Sequence, residues 1–106
     1  MAVKKDRITL DIISKYIKML KKNKVKFSEI YLFGSHVKGT YNPDSDIDLA
    51  IVLDKKYMDR FNERLKLMRL RWDVDLRIEP HPFSKKDFED TDPFVKEITL
   101  TGIKIA

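Results

Sequence analysis

The segment Phe33–Val52, FGSHVKGTYNPDSDIDLAIV, decides how the rest of this chain is interpreted. It places Gly34 and Ser35 ten residues before an Asp-x-Asp pair, Asp46 and Asp48. The aspartates open a run of apolar residues that predicts a buried β-strand. A strand that enters a protein core does not usually begin with two like charges on one face. The pattern therefore indicates a functional site at the start of this strand.

Successive side chains of a strand point to opposite faces, so Asp46 and Asp48 share one face. The alternation of WDVDLRIE predicts another strand at 72–79, with Asp73 and Asp75 on one face. If the two strands are neighbours about 4.8 Å apart, their carboxylates converge. Divalent cations relieve the resulting repulsion, and two Mg²⁺ ions about 3.5–4 Å apart can hold both oxygens of a phosphoryl transfer. The carboxylates thus predict a two-magnesium site for a nucleoside triphosphate.

The Gly-Ser turn supplies features that suit the phosphates of such a substrate. Gly34 allows a ligand to approach the backbone closely. A helical turn that begins at Ser35 would direct a hydroxyl and free N–H groups at phosphate oxygens. Lys38 lies one turn further on and could add a positive charge. We therefore predict that Gly34, Ser35 and Lys38 bind the nucleotide.

These residues carry a resemblance to a known family. Gly-Ser, ten residues and then Asp-x-Asp is similar to the defining motif of the DNA polymerase β-like nucleotidyltransferases. Within that superfamily, SDIDLAIVL at 45–53, VDLRI at 74–78 and the ending FVKEITLTGIKI at 94–105 resemble the minimal nucleotidyltransferases, or MNT proteins. The resemblance covers the chain from about residue 9 to its end, with Val37 and Lys38 standing where Ala-Arg is common in the family.

The resemblance implies roles for individual residues. Gly34 and Ser35 would hold the triphosphate, and Asp46 and Asp48 would bridge two Mg²⁺ ions. Asp75, which matches the family position better than its neighbour, would complete the metal site and help to deprotonate the acceptor hydroxyl. In this family the implied reaction transfers AMP from ATP to a HEPN-domain protein encoded next to the MNT protein. The chain would then be the antitoxin of a toxin–antitoxin pair and part of a hetero-oligomer.

Two other functions stay open from the sequence. So small a chain must borrow surface from a partner, which fits a catalytically inactive nucleotide-binding module that neutralises the partner by contact. The other function is transfer of a nucleotide to RNA or a small molecule, which larger relatives carry out. Nothing in the sequence resembles an RNA-binding module, so nucleic acid is a disfavoured partner. The roles of His36, Asp73 and Arg77 stay open.

Length and composition bound these interpretations. The 106 residues predict a single domain over 1–106. The net charge of +5 favours anionic partners such as ATP or another nucleotide. There is no cysteine, so disulfides and thiolate metal sites are excluded. The first residues lack a signal-peptide core, and no run approaches the length of a membrane span, so we expect a cytoplasmic protein.

Hydrophobic periodicity predicts an α+β domain. The predicted elements are a helix at 9–22, strands at 29–33 and 46–53, a helix at 57–70, a strand at 72–79, a short helix at 84–88 and a last helix from Asp92 to near Gly102. GIKIA could add a short strand. We expect a small mixed β-sheet with helices packed on one face, the palm-like nucleotidyltransferase fold of polymerase β, with a carboxylate-bearing face left open.

Several side chains have expected places in this arrangement. Thr9 is predicted to cap the first helix, and Trp72 is expected in the core. His81 stands between two prolines and is expected in a loop, because Pro80 and Pro82 are predicted to end the third strand. The helix at 57–70 is predicted to bury a stripe formed by Tyr57, Phe61, Leu65 and Met68.

Overall fold

The computed structural model describes residues 3–38, 45–89 and 92–106, apart from the side chains of residues 3–6, 36 and 38. Its elements follow in the order α1 (Val3–Lys22), β1 (Phe27–Phe33), α2 (Ser35–Lys38), β2 (Ile47–Leu53), α3 (Arg60–Leu70), β3 (Ile78–Phe83), α4 (Pro93–Thr101) and β4 (Ile103–Lys104). A 3₁₀ turn over Arg71–Asp73 extends α3. None of the described helices is long and apolar enough to cross a lipid bilayer.

The four strands form one mixed sheet in the order β3-β2-β1-β4. β1 runs antiparallel to β2 and to β4, whereas β3 lies parallel to β2. β2 has a neighbouring strand on each side, and a strand in such a position reads as a nearly continuous apolar run when both faces are covered. Every residue of β2 except Asp48 is buried. Asp48 is therefore the only charged residue of this central strand.

The larger hydrophobic cluster lies between the sheet and the helices α1 and α3. Its buried members are Ile13, Tyr16, Leu20, Ile30, Leu32, Ile47, Leu49, Ile51, Leu53, Leu67 and Ile78. The hydroxyl of Tyr16 in α1 donates a 2.7 Å hydrogen bond to the carbonyl oxygen of Leu67 in α3. Burial raises the pKa of Tyr16, which keeps the hydroxyl protonated and able to donate. This bond fixes the two helices to each other above the sheet.

A smaller cluster covers part of the opposite face, where α4 packs. It consists of Phe33, Ala50, Phe83, Val95 and Ile98. Asp48 shares this second face, because it stands directly opposite Phe33 in the β1–β2 register. The predicted α+β class with a small mixed sheet is confirmed. α1 and α3 lie on one face as expected, and α4 adds a layer on the other face that the sequence did not place.

The predicted strand at 72–79 is wrong in its position, because β3 begins at Ile78 and continues to Phe83. Pro80 and Pro82 lie inside this strand rather than ending it. Among the strands that the structure describes, β3 is at the edge of the sheet and pairs only with β2. Proline is tolerated in an edge strand when its missing N–H would face away from the neighbouring strand. Alternate residues face the same side, so Pro80 and Pro82 both meet this condition.

The free edge of β3 is covered by arginine side chains rather than by another strand. Arg71 donates from Nη1 to the carbonyl oxygen of Ile78 at 2.8 Å. Arg60 donates from Nε to the carbonyl oxygen of Pro82 at 3.3 Å. These carbonyl groups point outward at the same alternate positions as the prolines. Side chains from α3 and its 3₁₀ extension therefore position β3 against β2.

The apolar side predicted for α3 is also wrong. The helix begins at Arg60, where the carboxylate of Asp59 accepts a 3.2 Å hydrogen bond from the backbone N–H of Asn62. Leu67 is its buried residue. The predicted stripe faces outward instead, with Met68 part-buried and the side chains of Tyr57, Phe61 and Leu65 exposed.

Trp72 is 70% exposed rather than packed in the core. Phe61, Leu65 and Trp72 follow one another at helical spacing, and we refer to them as the α3 stripe. They are predicted core residues that form a surface instead.

Of four smaller predictions, two are wrong and two are confirmed. Thr9 lies inside α1 rather than at its N-cap, because the helix begins at Val3. Residues 85–88 form a turn rather than a helix, although Ser84 Oγ accepts a 3.0 Å hydrogen bond from the Asp87 N–H. The last helix is confirmed, since Asp92 caps it and Pro93 is its first residue. The short strand in GIKIA is confirmed as β4.

The bond between α1 and α3 makes a testable contribution to stability. Replacing Tyr16 by phenylalanine removes the hydroxyl and keeps the ring, so we expect the free energy of unfolding to fall by about 1–2 kcal/mol. Urea unfolding at 25 °C measures it. Tyr57→Phe is the matched control, because that side chain is 69% exposed and surface changes stay within about 0.5 kcal/mol. Equal stability of Tyr16→Phe and the wild type would contradict the role given to this bond.

Candidate active site

The turn between β1 and α2 requires a glycine for two separate reasons. Gly34 has a φ of +83°, in the left-handed region where any other side chain is strained. A Cβ atom at Gly34 would also stand 2.5 Å from Oδ2 of Asp48, far inside the contact distance of real atoms. The backbone of the Gly-Ser turn therefore lies directly against the Asp48 carboxylate, as the spacing in the sequence predicts.

Asp46 and Asp48 stand at the start of β2, on the edge of the sheet where the Gly-Ser turn lies. Asp46 precedes the strand and is exposed. Asp48 is part-buried, with 25% of its side chain exposed. Its Oδ1 lies 3.1 Å from Nε2 of His81 on β3. The structure thus brings together the Asp48 carboxylate, the backbone of Gly34 and the His81 ring, and Asp46 lies two residues before Asp48 along the chain.

His81 is a site residue that the sequence analysis missed. The expectation of a loop rested on the prolines at either side, which instead belong to the edge strand. His81 is paired with Ala50 in the β2–β3 register, and it reaches diagonally to Asp48. Its ring packs on Phe33 with 5.2 Å between the ring centroids. In the sequence, Glu79, His81 and Phe83 alternate with Ile78, Pro80 and Pro82. This alternation was the signal that could have placed His81 on a strand.

The predicted phosphate-binding residues are described in part. Ser35 is the first residue of α2 and is part-buried. The N–H of Val37 donates a 3.1 Å hydrogen bond to the carbonyl oxygen of Gly34, which closes the turn. The side chain of Lys38 and the loop at 39–44 lie outside the described residues. Binding of the nucleotide by Lys38 therefore stays a prediction.

Among the described residues, Asp75 does not form a metal-holding group with Asp46 and Asp48. Asp75 lies before β3, in a turn rather than on a strand. Its Oδ1 accepts hydrogen bonds from the N–H of Arg77 at 2.8 Å and from Nε at 3.0 Å, and its Oδ2 accepts one from Nη2 at 2.9 Å. The hydrogen bond with the Arg77 side chain lowers the pKa of Asp75. Metal binding by Asp75 stays a prediction that requires the carboxylate to leave Arg77.

The carboxylate that stands level with Asp48 on β3 belongs to Glu79. Glu79 forms ion pairs with Arg71 Nη1 at 3.1 Å and with Arg64 Nη2 at 3.2 Å. Both of its oxygens are thus held by guanidinium groups from α3 and the 3₁₀ turn. We read Glu79 as a side chain that fixes β3 to α3, because its charge is already compensated.

The chemistry of the donor set fits a magnesium ion. Among the residues that the structure describes, no three Asp, Glu or His side chains converge closely enough to hold a metal by themselves. Mg²⁺ does not need such a cage, because it commonly binds one or two carboxylates together with substrate phosphates and water. Asp46 and Asp48 supply those carboxylates beside a turn whose N–H groups suit phosphate.

Comparison with known families agrees with this geometry. Residues 13–105 match the family model described as "Nucleotidyltransferase domain". The chain belongs to the nucleotidyltransferase family. It is therefore an enzyme that transfers nucleotidyl groups, and the resemblance to the minimal members is confirmed. The match begins in α1 and ends just after β4, so it includes the Gly-Ser turn, Asp46 and Asp48.

Two relatives of this nucleotidyltransferase carry names that describe an activity. Protein MJ1379 of Methanocaldococcus jannaschii, named provisionally as a protein adenylyltransferase, is 33% identical, and the match covers 76% of this chain and 87% of that protein. The protein adenylyltransferase MntA of Shewanella oneidensis is 49% identical over 39 residues, which are 37% of this chain and 28% of that protein.

A solved structure described as a toxin–antitoxin with AMP-PNP contains a chain of the same fold. The TM-score is 0.54 and the sequence identity is 26%. The match covers 86% of this nucleotidyltransferase and 69% of that chain. The match covers most of this chain, so the fold described above is that of the family.

The contact between Gly34 and Asp48 can be tested by a double-mutant cycle. Gly34→Ala combines backbone strain with a clash against Asp48, so we expect it to lower the free energy of unfolding by about 2–4 kcal/mol. In an Asp48→Ala background the clash is absent, and the same change should cost only about 1–2 kcal/mol. Urea unfolding of the four proteins gives the coupling energy. A coupling near zero would mean that the turn and the carboxylate do not touch.

Proposed function

We propose that this nucleotidyltransferase transfers AMP from ATP to a hydroxyl group of a partner protein, and that it is the antitoxin of a pair with a HEPN-domain toxin. One observation carries the proposal. The backbone suited to the triphosphate lies against Asp48, which is suited to the metal, so both would act on one substrate. The names of the two relatives support a protein acceptor. The toxin–antitoxin structure with AMP-PNP supports a nucleotide and a partner.

The proposed reaction assigns a task to each residue. Ser35 and the first N–H groups of α2 bind the leaving phosphates. Asp46 and Asp48 would hold two Mg²⁺ ions, which would supply positive charge that offsets the charge on the phosphates. The acceptor oxygen bonds to the α-phosphorus, the bond to the bridging oxygen breaks and pyrophosphate leaves. Asp75 takes the proton of the hydroxyl after its carboxylate has left Arg77.

A second function, neutralisation by contact alone, is favoured by the α3 stripe. Phe61 is 72% exposed and Trp72 is 70% exposed, on the same side of α3 and its extension. Exposed aromatic side chains of this kind are common anchors in protein interfaces. In this case the nucleotide site would be dispensable, and the toxin would be silenced by occupation of its surface.

Substitution of Asp46 and Asp48 distinguishes AMP transfer from neutralisation by contact alone. The purified chain is incubated with ATP, Mg²⁺ and the protein encoded next to it, and the partner is then weighed by mass spectrometry. We expect one AMP to be added by the wild type. The double variant Asp46→Asn and Asp48→Asn should lower the rate at least 1000-fold, because the metals lose their charged ligands while the side chains keep their size.

The controls separate the possible outcomes. Glu89→Gln removes one exposed carboxylate that belongs neither to the Gly-Ser turn nor to the Asp-x-Asp pair, and it should transfer AMP normally. Transfer that persists in the aspartate double variant would overturn the proposal. Neutralisation that survives in the double variant but is lost in Phe61→Ser with Trp72→Ser would establish the contact function instead.

The third carboxylate is tested by comparing Asp75→Asn with Glu79→Gln. We expect Asp75→Asn to lower AMP transfer at least 100-fold with little loss of stability, since its ion pair with Arg77 is local. Glu79→Gln should lower the free energy of unfolding by about 1–2 kcal/mol and leave transfer within about tenfold, because it weakens the link between β3 and α3. The reverse pattern would assign the third ligand to Glu79.

A further inference from the structure

A pocket of about 280 Å³ lies beside β3, where α3 and α4 approach the edge of the sheet. Its walls are formed by Arg60, Arg64, His81, Pro82, Phe83 and Phe94. Two guanidinium groups and an imidazole therefore surround a space with aromatic sides. None of these residues belongs to the Gly-Ser turn or to the Asp-x-Asp pair, so the pocket is an additional feature of the active-site face.

The pocket carries an uncompensated positive charge. Within the described part of the chain, Arg60 forms no ion pair. Its guanidinium lies 5.0 Å from the centre of the Phe83 ring, and its Nε donates to a backbone carbonyl. Arg64 is paired with Glu79, yet 44% of its side chain stays exposed. A guanidinium that stacks on an aromatic ring and keeps free donors is suited to bind a carboxylate or a phosphate.

His81 joins this pocket to the catalytic carboxylates. Its ring lines the pocket, while its Nε2 lies 3.1 Å from Oδ1 of Asp48. Across this face of the sheet the order is thus the Gly-Ser turn after β1, Asp48 on β2, His81 on β3 and then the pocket. The pocket and the turn lie on opposite sides of Asp48.

This order indicates which side of Asp48 faces the attacking oxygen and which side faces the leaving oxygen. The attacking and leaving oxygens stand roughly in line on opposite sides of the reacting phosphorus. If pyrophosphate leaves toward Ser35, the acceptor hydroxyl arrives from the side of β3. The group that occupies the pocket then belongs to the acceptor rather than to ATP.

We propose that this pocket binds an acidic side chain that flanks the acceptor hydroxyl of the partner protein. The inference rests on the proposed AMP transfer. An anion is favoured over the adenine ring of ATP, because a neutral base would leave the charge of Arg60 without a partner. The pocket would thereby select acceptor segments by their charge and align the hydroxyl with the α-phosphorus.

Two labelled peptides test this selection. They share one sequence with a single serine, which is flanked by glutamates in one peptide and by glutamines in the other. NMR titration to millimolar peptide should show about tenfold tighter binding of the glutamate peptide to the wild type, with signals of His81 and Phe94 shifting. The variant Arg60→Gln with Arg64→Gln should bind both peptides equally, while its affinity for ATP with Mg²⁺ stays unchanged.

Matched variants make each result decisive. Lys66→Gln with Arg69→Gln removes two positive charges from α3 outside the pocket and should retain the preference for glutamate. Absence of any preference in the wild type would overturn the inference. So would a loss of ATP affinity in the Arg60 and Arg64 variant that Glu79→Gln, which weakens the same link between β3 and α3, does not share, since the pocket would then bind the nucleotide. Asp48→Asn reports separately on AMP transfer, so that failure of the proposed function is distinguished from failure of the pocket.

Discussion

The contact between the Asp48 carboxylate and the backbone of Gly34 constrains most of what surrounds it. It exists only because β1 and β2 are antiparallel neighbours with Phe33 opposite Asp48. It also restricts residue 34 to glycine, both by its φ and by the space that Asp48 fills. Further along β2 every side chain is buried, so charged ligands can stand only at the beginning of the strand. The position of the site thus follows from the position of β2 in the middle of the sheet.

Arginine side chains determine which carboxylates near the start of β2 remain available to bind a metal. Asp75 is held by Arg77, and Glu79 is held by Arg64 together with Arg71. Left uncompensated, Glu79 would repel Asp48, which stands opposite it in the β2–β3 register. The guanidinium groups remove that repulsion without a metal and at the same time fasten β3 to its neighbours. Among the described residues, Asp48 forms no ion pair with an arginine or a lysine, and its charged-group contact is with His81.

The sequence contains enough local information to predict the centre of the fold and of the site. The Gly-Ser turn, the Asp-x-Asp pair and β2 were found because spacing and hydrophobicity act over a few residues. The cap and first proline of α4 were found for the same reason. The position of β3 was missed because Pro80 and Pro82 usually end a strand, and only its place at the sheet edge permits them. His81 was missed together with that strand.

The α3 stripe was expected to be buried but is exposed, and the cause differs from that of the error in β3. Periodicity reports that apolar residues share one side of a helix, but it cannot tell whether the protein itself or a partner covers that side. In this fold Leu67 faces the sheet, and Arg60 and Arg71 from the same region bind the carbonyls of β3. The side that holds Phe61 and Trp72 is consequently turned outward. Such a choice is tertiary information, which a local pattern does not contain.

The prolines of β3 have a consequence for how any other chain can associate with this one. An added strand needs a row of free backbone N–H and C=O groups. At the outer edge of β3, Pro80 and Pro82 have no N–H group to donate. The carbonyl oxygens of Ile78 and Pro82 already accept hydrogen bonds from arginines. The opposite rim, β4, offers only two residues. Main-chain pairing is therefore restricted at both borders of the described sheet. Recognition of another protein through side chains is favoured, which allows specificity to change by single substitutions without altering the scaffold.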